Sequence, residues 1–452
     1  MATSVQRTST LGSLTTWTWS GWFKRGIVSS GSHMLFSGLT DGNNYTQCYF
    51  DSGDDFRFLN SVSSSLTGAL TSDRKFRDPG AWYHIVVNWD TTNVTAGDRI
   101  RLYVNGVEET SFSTDTQPGS SDPSTMNKSG SVTSMGGHTL ASEDFYGELS
   151  HCHFIDGTIY GPTTFGEFDS TSGIWKIKTS PSVTYGTNGW FLKFEDRTNL
   201  DLDSGTNAFT FTTTGTLTAT YDNPSNNFAT LNPLAKDVAA TYAISNGNTT
   251  VQSSSGWWTM PLTLGVGGGK WYFEAKMDNL SNYAHVGWAT ADQISQGGVD
   301  SYFGGVSVNE SACGYGQDGP IYYSTTTSNG QDSGTYGNTF TTGDVIGCAL
   351  DLDNGFAYWS KNGTWQNSGV PTSGATGTGA FPIDNPSSKG YLWLPGVAIY
   401  SATWSVNAGN GYFGTTLISS PEADDGGIGA FAYDVPAGYR AVCTKNIKAY
   451  GG

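Results

Sequence analysis

The chain has 452 residues, more than the roughly 250 to 300 at which a single hydrophobic core stops growing, so it should fold as two domains. Its 60 glycines and its 15 Trp, 23 Tyr and 23 Phe, with only 13% charged residues, are typical of short strands joined by tight turns and exclude a mainly helical protein. The net charge of -17 opposes binding to phosphate backbones or anionic lipid, so we expect no nucleic-acid partner.

The N-terminal sequence and the cysteines indicate where the protein is made. Residues 1–14 lack the apolar core of a signal peptide, and no stretch approaches the roughly 18 apolar residues of a membrane span. We therefore expect synthesis in a cytoplasm and no membrane insertion. Five cysteines are widely separated and form no C-x-x-C pair, so we expect them to be reduced and buried. They are Cys48, Cys152, Cys313, Cys348 and Cys443.

The first half of the chain has an apolar period of two. In residues 16–24 (TWTWSGWFK) and 82–89 (WYHIVVNW) every second side chain falls on one apolar face, which predicts strands of a sandwich. Residues 99–104 lead into Asn105 and Gly106, the pair that most readily forms a tight type I′ hairpin turn. We therefore expect an antiparallel β-sandwich here.

The boundary between the two domains is predicted near residue 222. Short β-like segments continue to residue 221, and residues 222–233 (DNPSNNFATLNP) then interrupt the periodic pattern with two prolines and four asparagines. The sequence therefore predicts a first domain over residues 1–221 and a linker over residues 222–235.

The second half also alternates. Residues 270–277, 284–289 and 394–400 read as strands, and residues 343–361 as a strand, a turn and a return strand. The predicted fold class is all-β, with two consecutive antiparallel β-sandwiches.

Several sequence motifs resemble those of known families. WYFEAKM, HVGWAT, GDVIGCALDLDNGFAYWSKNG and LPGVAIYSA, in that order, resemble a SPRY (B30.2-like) domain, which we assign to residues 236–420, with residues 421–452 as a C-terminal extension packed on this domain or on a partner. TWTWSGWFKRG, the WYHIVVNWDTT and RIRLYVNGVEE pair, and FYGELSHCHFIDG resemble a concanavalin A-like or laminin G-like lectin sandwich, a jelly roll. The order of both, with YGTNGWFLKFED, NNFATLNP and YDVPAGYRAVCTKNI, resembles marine bacteriophage virion proteins. That resemblance implies adhesion or particle architecture.

Catalysis is not expected. Glycosidases of the concanavalin A-like fold need two carboxylates on one strand face. The nearest group here is Glu143, Asp144 and Glu148, but neighbouring residues, and residues five apart, point to opposite faces unless a bulge intervenes. We therefore predict that the protein is not an enzyme.

No metal or cofactor is expected either, although calcium is left open. His151 and His153 are predicted to share a strand face near Asp156, but two imidazoles do not make a metal site, so core histidines are favoured. Asp351 and its neighbours Asp353 and Asn354 are similar to a calcium loop, but their spacing does not fit an EF-hand and a turn explains them by itself. The glycine-rich residues 265–269 precede no predicted helix, so phosphate binding is not supported.

Aromatic residues in turn-rich segments are the binding candidates. Trp and Tyr rings stack on the apolar faces of sugars while amides and carboxylates satisfy the hydroxyls. The candidates, for each of which packing into the core is the alternative, are Trp257, Trp258, Tyr322, Tyr323 and Trp365.

These observations predict a bacteriophage virion protein, a tail-fibre-like adhesin that binds a host-surface glycan or protein. We expect several copies on the particle, a homo-oligomer in contact with other virion proteins, so that weak contacts add up through avidity. The alternative is a capsid decoration or head-fibre protein that packs only on virion subunits. A glycan depolymerase is the third class, and the missing carboxylate pair argues against it.

Overall fold

A computed structural model describes residues 3–138, 143–235, 242–291, 312–324, 332–383 and 390–451. The chain divides into two compact units, Met1–Ala219 and Thr220–Gly452. With 48% strand and 6% helix, and with antiparallel sheets in both units, the protein is all-β as predicted. Each unit is a β-sandwich.

The first unit is built of short strands and two 3₁₀ turns. The turns are Ala96–Asp98 and Pro162–Thr164. The strands in its described part are β1 Ser4–Thr8, β2 Thr16–Arg25, β3 His33–Asp41, β4 Asn44–Phe50, β5 Asp55–Val62, β6 Ser65–Lys75, β7 Trp82–Asp90, β8 Ile100–Val104, β9 Val107–Glu108, β10 Phe112–Thr116, β11 Val132–Met135, β12 Gly147–Asp156, β13 Gly166–Phe168, β14 Trp175–Ile177, β15 Trp190–Leu192 and β16 Thr212–Thr214.

Two antiparallel sheets enclose the core of this unit. One has the order β10-β6-β5-β4-β3-β11-β1-β16 and the other the order β15-β12-β2-β7-β8-β9, with β13 and β14 as a separate hairpin. Trp17, Trp19 and Phe23 are fully buried in one apolar cluster, so the predicted alternation along β2 is confirmed. The predicted I′ turn is also confirmed, because Asn105 and Gly106 have φ of 48° and 83°.

The second unit is also made of strands, and its described residues include three 3₁₀ turns and one short α-helix. The turns are Pro233–Ala235, Gln366–Ser368 and Pro371–Thr376, and the helix, α1, is Thr444–Tyr450. The strands in the part that the structure describes are β17 Tyr242–Ser245, β18 Thr250–Ser253, β19 Trp258–Pro261, β20 Lys270–Thr290, β21 Ala312–Gly316, β22 Pro320–Ser324, β23 Asp332–Thr335, β24 Val345–Asp351, β25 Phe356–Lys361, β26 Thr364–Trp365, β27 Phe381–Pro382, β28 Trp393–Asn407, β29 Tyr412–Phe413, β30 Thr416–Leu417 and β31 Arg440–Ala441.

Two long strands, β20 and β28, connect the layers of this sandwich. They pair antiparallel from Glu274↔Asn407 to Thr290↔Trp393. The register shifts between Met277 and Asn279 and again between Leu280 and Tyr283, which marks β-bulges. Because a bulge bends its strand, the first half of β20 pairs with β24 and the second half pairs with β21. One strand thus contributes to both layers.

Residues 222–235, predicted as a linker, are instead packed within the second unit. Phe228 and Leu231 are fully buried in its apolar clusters, and Phe228 forms a bridge with Cys443. The prolines and asparagines that suggested a linker shape turns and hydrogen bonds here, while the apolar residues between them enter the core.

The C-terminal residues are fixed by buried carboxylates. Glu274 accepts the backbone N–H groups of Ala432 and Tyr433 at 2.8 and 3.0 Å. Asp424 accepts the N–H of Ala441 and the side-chain amide of Asn446, which lies on α1. The extension thus packs on the second unit, and its short helix is an element that the strand pattern does not predict.

All five cysteines are buried and none forms a disulfide. Within the described ranges, no helix has the length and apolar character needed to cross a bilayer.

Candidate binding surface

The outward side of the second half of β20 is the best-defined candidate surface. Along this segment Ala284, Val286 and Trp288 enter the core, because alternate side chains of a strand point to opposite faces. Tyr283 and His285 lie in the other phase of this alternation. Tyr283 pairs directly with Tyr400 on β28, which brings two rings together across the strands.

Small residues occupy the centre of this surface. In register across β20, β21 and β28 they are Gly287, Ala289, Ala312, Gly314, Gly316, Gly396 and Ala398. Side chains this small leave room for rings to lie across the sheet. A Cβ added to Gly316 would lie 2.4 Å from the ring of Tyr322, so that ring lies directly over the glycine.

Five rings form a continuous group on this surface. The indole of Trp257 stacks on Tyr283 with ring centroids 5.6 Å apart, and it meets the edge of Tyr400 at 5.8 Å. His285 lies 4.9 Å from Trp257, and Tyr322 stacks on His285 at 4.3 Å with an interplanar angle of 8°. We call these five residues the aromatic face.

The rings of the aromatic face range from exposed to buried. Tyr283 is 48% exposed, Trp257 and Tyr400 are half-buried, and His285 is buried. Burial lowers the pKa of His285 to about 3, so its ring is neutral at physiological pH. The hydroxyl of Tyr322 donates to a carboxylate oxygen of Asp318 at 2.5 Å. Such a surface can stack on apolar faces of a sugar or a peptide and can exchange hydrogen bonds through its tyrosine hydroxyls.

The structure separates the two aromatic pairs that the sequence proposed as binding residues. Trp258 is only 5% exposed and belongs to the main core, where its indole N–H donates to the carbonyl oxygen of Ser255. Tyr323 packs against the same core and against Phe381. Both lie on strands, so neighbouring side chains must take opposite faces. Only Trp257 and Tyr322 therefore reach the aromatic face.

Trp365 lies elsewhere on the second unit. It is half-buried, packs within a cluster that contains Tyr272, and lines a cleft. It is thus separate from the aromatic face.

Sequence reasoning missed Tyr283, His285 and Tyr400. His285 and Tyr400 lie in predicted strands and Tyr283 lies next to one, but only aromatic residues in turn-rich segments were predicted to bind. The alternation of residues 283–289 could have identified Tyr283 and His285 as outward-facing. The pairing of Tyr283 with Tyr400 requires the register of two bulged strands, which no local pattern gives.

The carboxylates considered for catalysis are divided between a loop and a strand. Glu148 lies on β12 in register with Lys24, whereas Glu143 and Asp144 precede that strand. Burial raises the pKa of Asp144. The absence of catalysis stays a prediction.

The histidines of β12 are buried in the first unit. A β-bulge at His151, which has φ of 47°, breaks the simple alternation that predicted a shared face with His153. Nδ1 of His153 lies 3.0 Å from the hydroxyl of Tyr185, and Nε2 of His151 lies 3.4 Å from Glu195. Burial lowers the pKa of His151 to about 4 and lowers that of His153 well below its usual value.

Asp156 and Asp351, two of the three aspartates named above as possible metal ligands, both accept hydrogen bonds from the protein. Asp156 accepts the backbone N–H groups of Ser13 and Asn188. One oxygen of Asp351 accepts the N–H of Asp353, and the other lies 2.8 Å from Nζ of Lys270. These contacts explain both residues as organisers of turns, and the absence of a metal, with calcium left open at Asp351, stays a prediction.

Comparisons with known protein families support both halves of the fold. Residues 2–159 match the Laminin_G_3 model, described as the concanavalin A-like lectin/glucanases superfamily, and residues 270–385 match the SPRY domain model. The chain therefore carries a concanavalin A-like domain in its N-terminal half and a SPRY domain in its C-terminal half, as the resemblances implied.

Curated relatives match over short stretches. The chain is 32% identical over 107 residues to the ATP-dependent RNA helicase DDX1 of Xenopus laevis, 35% over 97 residues to the Ran-binding proteins 9/10 homolog of Drosophila melanogaster, and 32% over 154 residues to the Drosophila helicase Ddx1. These stretches are 24%, 21% and 34% of this chain, but only 12%, 9% and 17% of the relatives.

Solved structures also resemble parts of the chain. The SPRY domain of human HERC1 has 19% identity and a TM-score of 0.28, covering 39% of this chain and 96% of that domain. The heptameric SAP-like pentraxin of Limulus polyphemus has 16% identity and a TM-score of 0.27, covering 42% of this chain and 88% of that protein. A human SPRY domain has 13% identity and a TM-score of 0.25, covering 37% and 94%.

Proposed function

We propose that this chain, which joins a concanavalin A-like domain to a SPRY domain, is a structural protein of a bacteriophage particle that acts as a tail-fibre-like adhesin. In this proposal the aromatic face binds a glycan or a protein on the host surface. The chain performs no catalysis and needs no cofactor for this role.

The observation that carries the proposal is the aromatic face itself. Tyr283, Trp257 and Tyr400 contact one another on the outward side of a sheet, and Tyr283 is 48% exposed. Rigid aromatic side chains lose little conformational entropy when they bind, so they are effective contact residues. The resemblance to marine bacteriophage virion proteins supplies the biological setting.

Repetition on the particle would provide the affinity. A few rings on an open surface give weak binding at each copy, but several copies on one particle convert later contacts into intramolecular ones. Avidity can then exceed the affinity of one site by about 100-fold to 10,000-fold. The net charge of -17 keeps such an aromatic protein soluble at high local concentration.

Binding of labelled protein to host cells tests the aromatic face. We expect the double change Trp257→Ala and Tyr283→Ala to reduce cell binding at least tenfold without unfolding. Tyr146→Ala is a matched control, because Tyr146 is 49% exposed, about as much as Tyr283, but lies in the first unit. Equal binding by the double variant and the control would reject the aromatic face as the binding surface.

The location of the chain on the particle tests the adhesin role. Gold-labelled antibody should mark the tail. Labelling of the head, together with failure of the purified protein to bind cells, would favour a capsid decoration protein. Release of reducing ends from host polysaccharide, abolished by Glu148→Gln, would instead identify a depolymerase.

A further inference from the structure

A shallow cleft lies beside Trp365 in the second unit. Its volume is about 380 Å³, and residues 335–338 and 364–368 line it. This volume is near the lower end of the roughly 300 to 1,000 Å³ that small-molecule sites occupy. The cleft therefore has room for one small ligand.

Gln366 connects the two walls of the cleft. The side chain of this residue is buried, and its Oε1 accepts the backbone N–H of Asn338 at 2.9 Å, while Nε2 donates to the carbonyl oxygen of Thr364 at 2.8 Å. A Cβ added to Gly337 would lie 2.8 Å from the Gln366 side chain, so the walls meet closely at that glycine. These contacts fix the shape of the cleft before any ligand enters.

The rim carries polar groups that the fold does not use. In the part of the chain that the structure describes, the indole N–H of Trp365 and four neighbouring side chains make no hydrogen bond to the protein. The four side chains are those of Thr335, Asn338, Thr364 and Ser368. Together they offer hydroxyl, amide and indole groups to a ligand.

None of the described residues that line the cleft is charged, although the chain has a net charge of -17. Lys361, which precedes one wall, is engaged with Asp344 at 3.1 Å and donates to the carbonyl oxygen of Thr339 at 2.8 Å. A phosphate or a carboxylate would find no available cation among the lining residues. An uncharged ligand with many hydroxyls fits these groups better.

We propose that the cleft beside Trp365 is a second binding site and that it takes a neutral sugar residue. The indole ring packs against an apolar C–H face of the sugar, and the amide and hydroxyl groups of the rim bind its hydroxyls. This site is separate from the aromatic face, and it does not depend on the role proposed above for that surface.

The shallow shape limits the affinity of one site. A hexose has about 12 non-hydrogen atoms. At the binding free energy per atom that is usual for drug-sized ligands, about 0.3 kcal/mol, its Kd is on the order of 1 mM. Useful attachment would therefore require repeated sugars and repeated copies of the chain.

Nuclear magnetic resonance of the full ¹⁵N-labelled chain tests the proposal. The indole signal of Trp365 is assigned by its loss in Trp365→Phe, and the wild-type protein is titrated with the methyl glycosides of glucose, galactose and mannose, and separately with glucuronic acid and N-acetylneuraminic acid. We expect at least one neutral glycoside to shift the Trp365 signal saturably, with the acidic sugars binding at least tenfold more weakly. Saturation-transfer spectra of the sugar give the affinity for variants that lack this signal.

Variants then show whether the sugar binds in the cleft or elsewhere on the protein surface. Trp365→Ala should weaken binding of that glycoside about tenfold, since a ring contact contributes up to this factor. Asn338→Ala, at an exposed position, should weaken it with no change in folding, and Tyr146→Ala, at an exposed aromatic position of the first unit, should leave it unchanged. If Trp365→Ala unfolds the protein, Asn338→Ala and Ser368→Ala carry the test.

Three results would overturn the proposal. The first is no saturable shift of the Trp365 signal with any neutral glycoside up to about 50 mM, far above the expected Kd. The second is equal affinity in the wild type and in folded cleft variants. The third is preferential binding of an acidic sugar over the neutral glycosides.

Discussion

The buried ion pair between Arg25 and Asp54 should be the most sensitive polar contact of the first unit. Both side chains have no exposed area, and Nη1 of Arg25 lies 2.9 Å from Oδ1 of Asp54. Asp54 also accepts hydrogen bonds from the backbone and hydroxyl of Ser29 and from Nε of Arg77. Four donors therefore converge on one carboxylate.

Asp54→Asn removes the charge but keeps the shape. Asp54 has φ of 67°, a left-handed conformation that asparagine also adopts, so the change adds little backbone strain. The new amide group replaces one acceptor oxygen of the carboxylate by a donor, and the charge of Arg25 stays buried without the negative charge that balances it. Removing one member of a buried pair costs about 3 to 5 kcal/mol. For a unit of 219 residues this lowers Tm by about 6 to 20 °C.

Asp55→Asn is the matched control. Asp55 pairs with Lys75 at 2.5 Å, but these side chains are 16% and 42% exposed, and an exposed pair contributes less than about 1 kcal/mol. Calorimetry and urea unfolding of both variants measure the two costs. A loss below about 1 kcal/mol for Asp54→Asn, or one equal to that of Asp55→Asn, would refute the reasoning.

Three further predictions concern the second unit. Burial raises the pKa of Glu274 to about 7, against its four hydrogen bonds. The stability that its protonated form provides is therefore complete below about pH 4.5 and is lost as the pH rises through 7. The free energy of unfolding from urea titrations should be up to about 3 kcal/mol higher at pH 5 than at pH 8, and Glu274→Gln should abolish that difference. Trp258→Ala should cost about 3 to 5 kcal/mol and Trp257→Ala less than half as much, since only Trp258 is fully in the core; equal losses in urea unfolding would contradict this. Gly316→Ala should displace the ring of Tyr322 from His285, visible as a change in near-ultraviolet circular dichroism with the fold retained, and an unchanged spectrum would be the contrary result.

Much of the fold could be predicted from local sequence. The alternation around Trp17 and Trp19, the turn at Asn105, and the SPRY motifs all depend on neighbouring residues, because the side-chain period of a strand and the φ preference of a turn are local properties. The packing of residues 222–235 could not be predicted in this way, because Phe228 finds its partners near Cys443, more than 200 residues later.

The candidate binding residues could likewise be predicted only in part from local sequence. The sequence by itself determined which residues are aromatic, and the turn-rich setting of Trp257 and Trp258 left open which of the two is exposed. Only the tertiary structure decided which member of each pair lies outside and which distant rings join it. The register of β20 against β28 brings Tyr283 to Tyr400, and that register depends on bulges and on pairing between strands more than 100 residues apart.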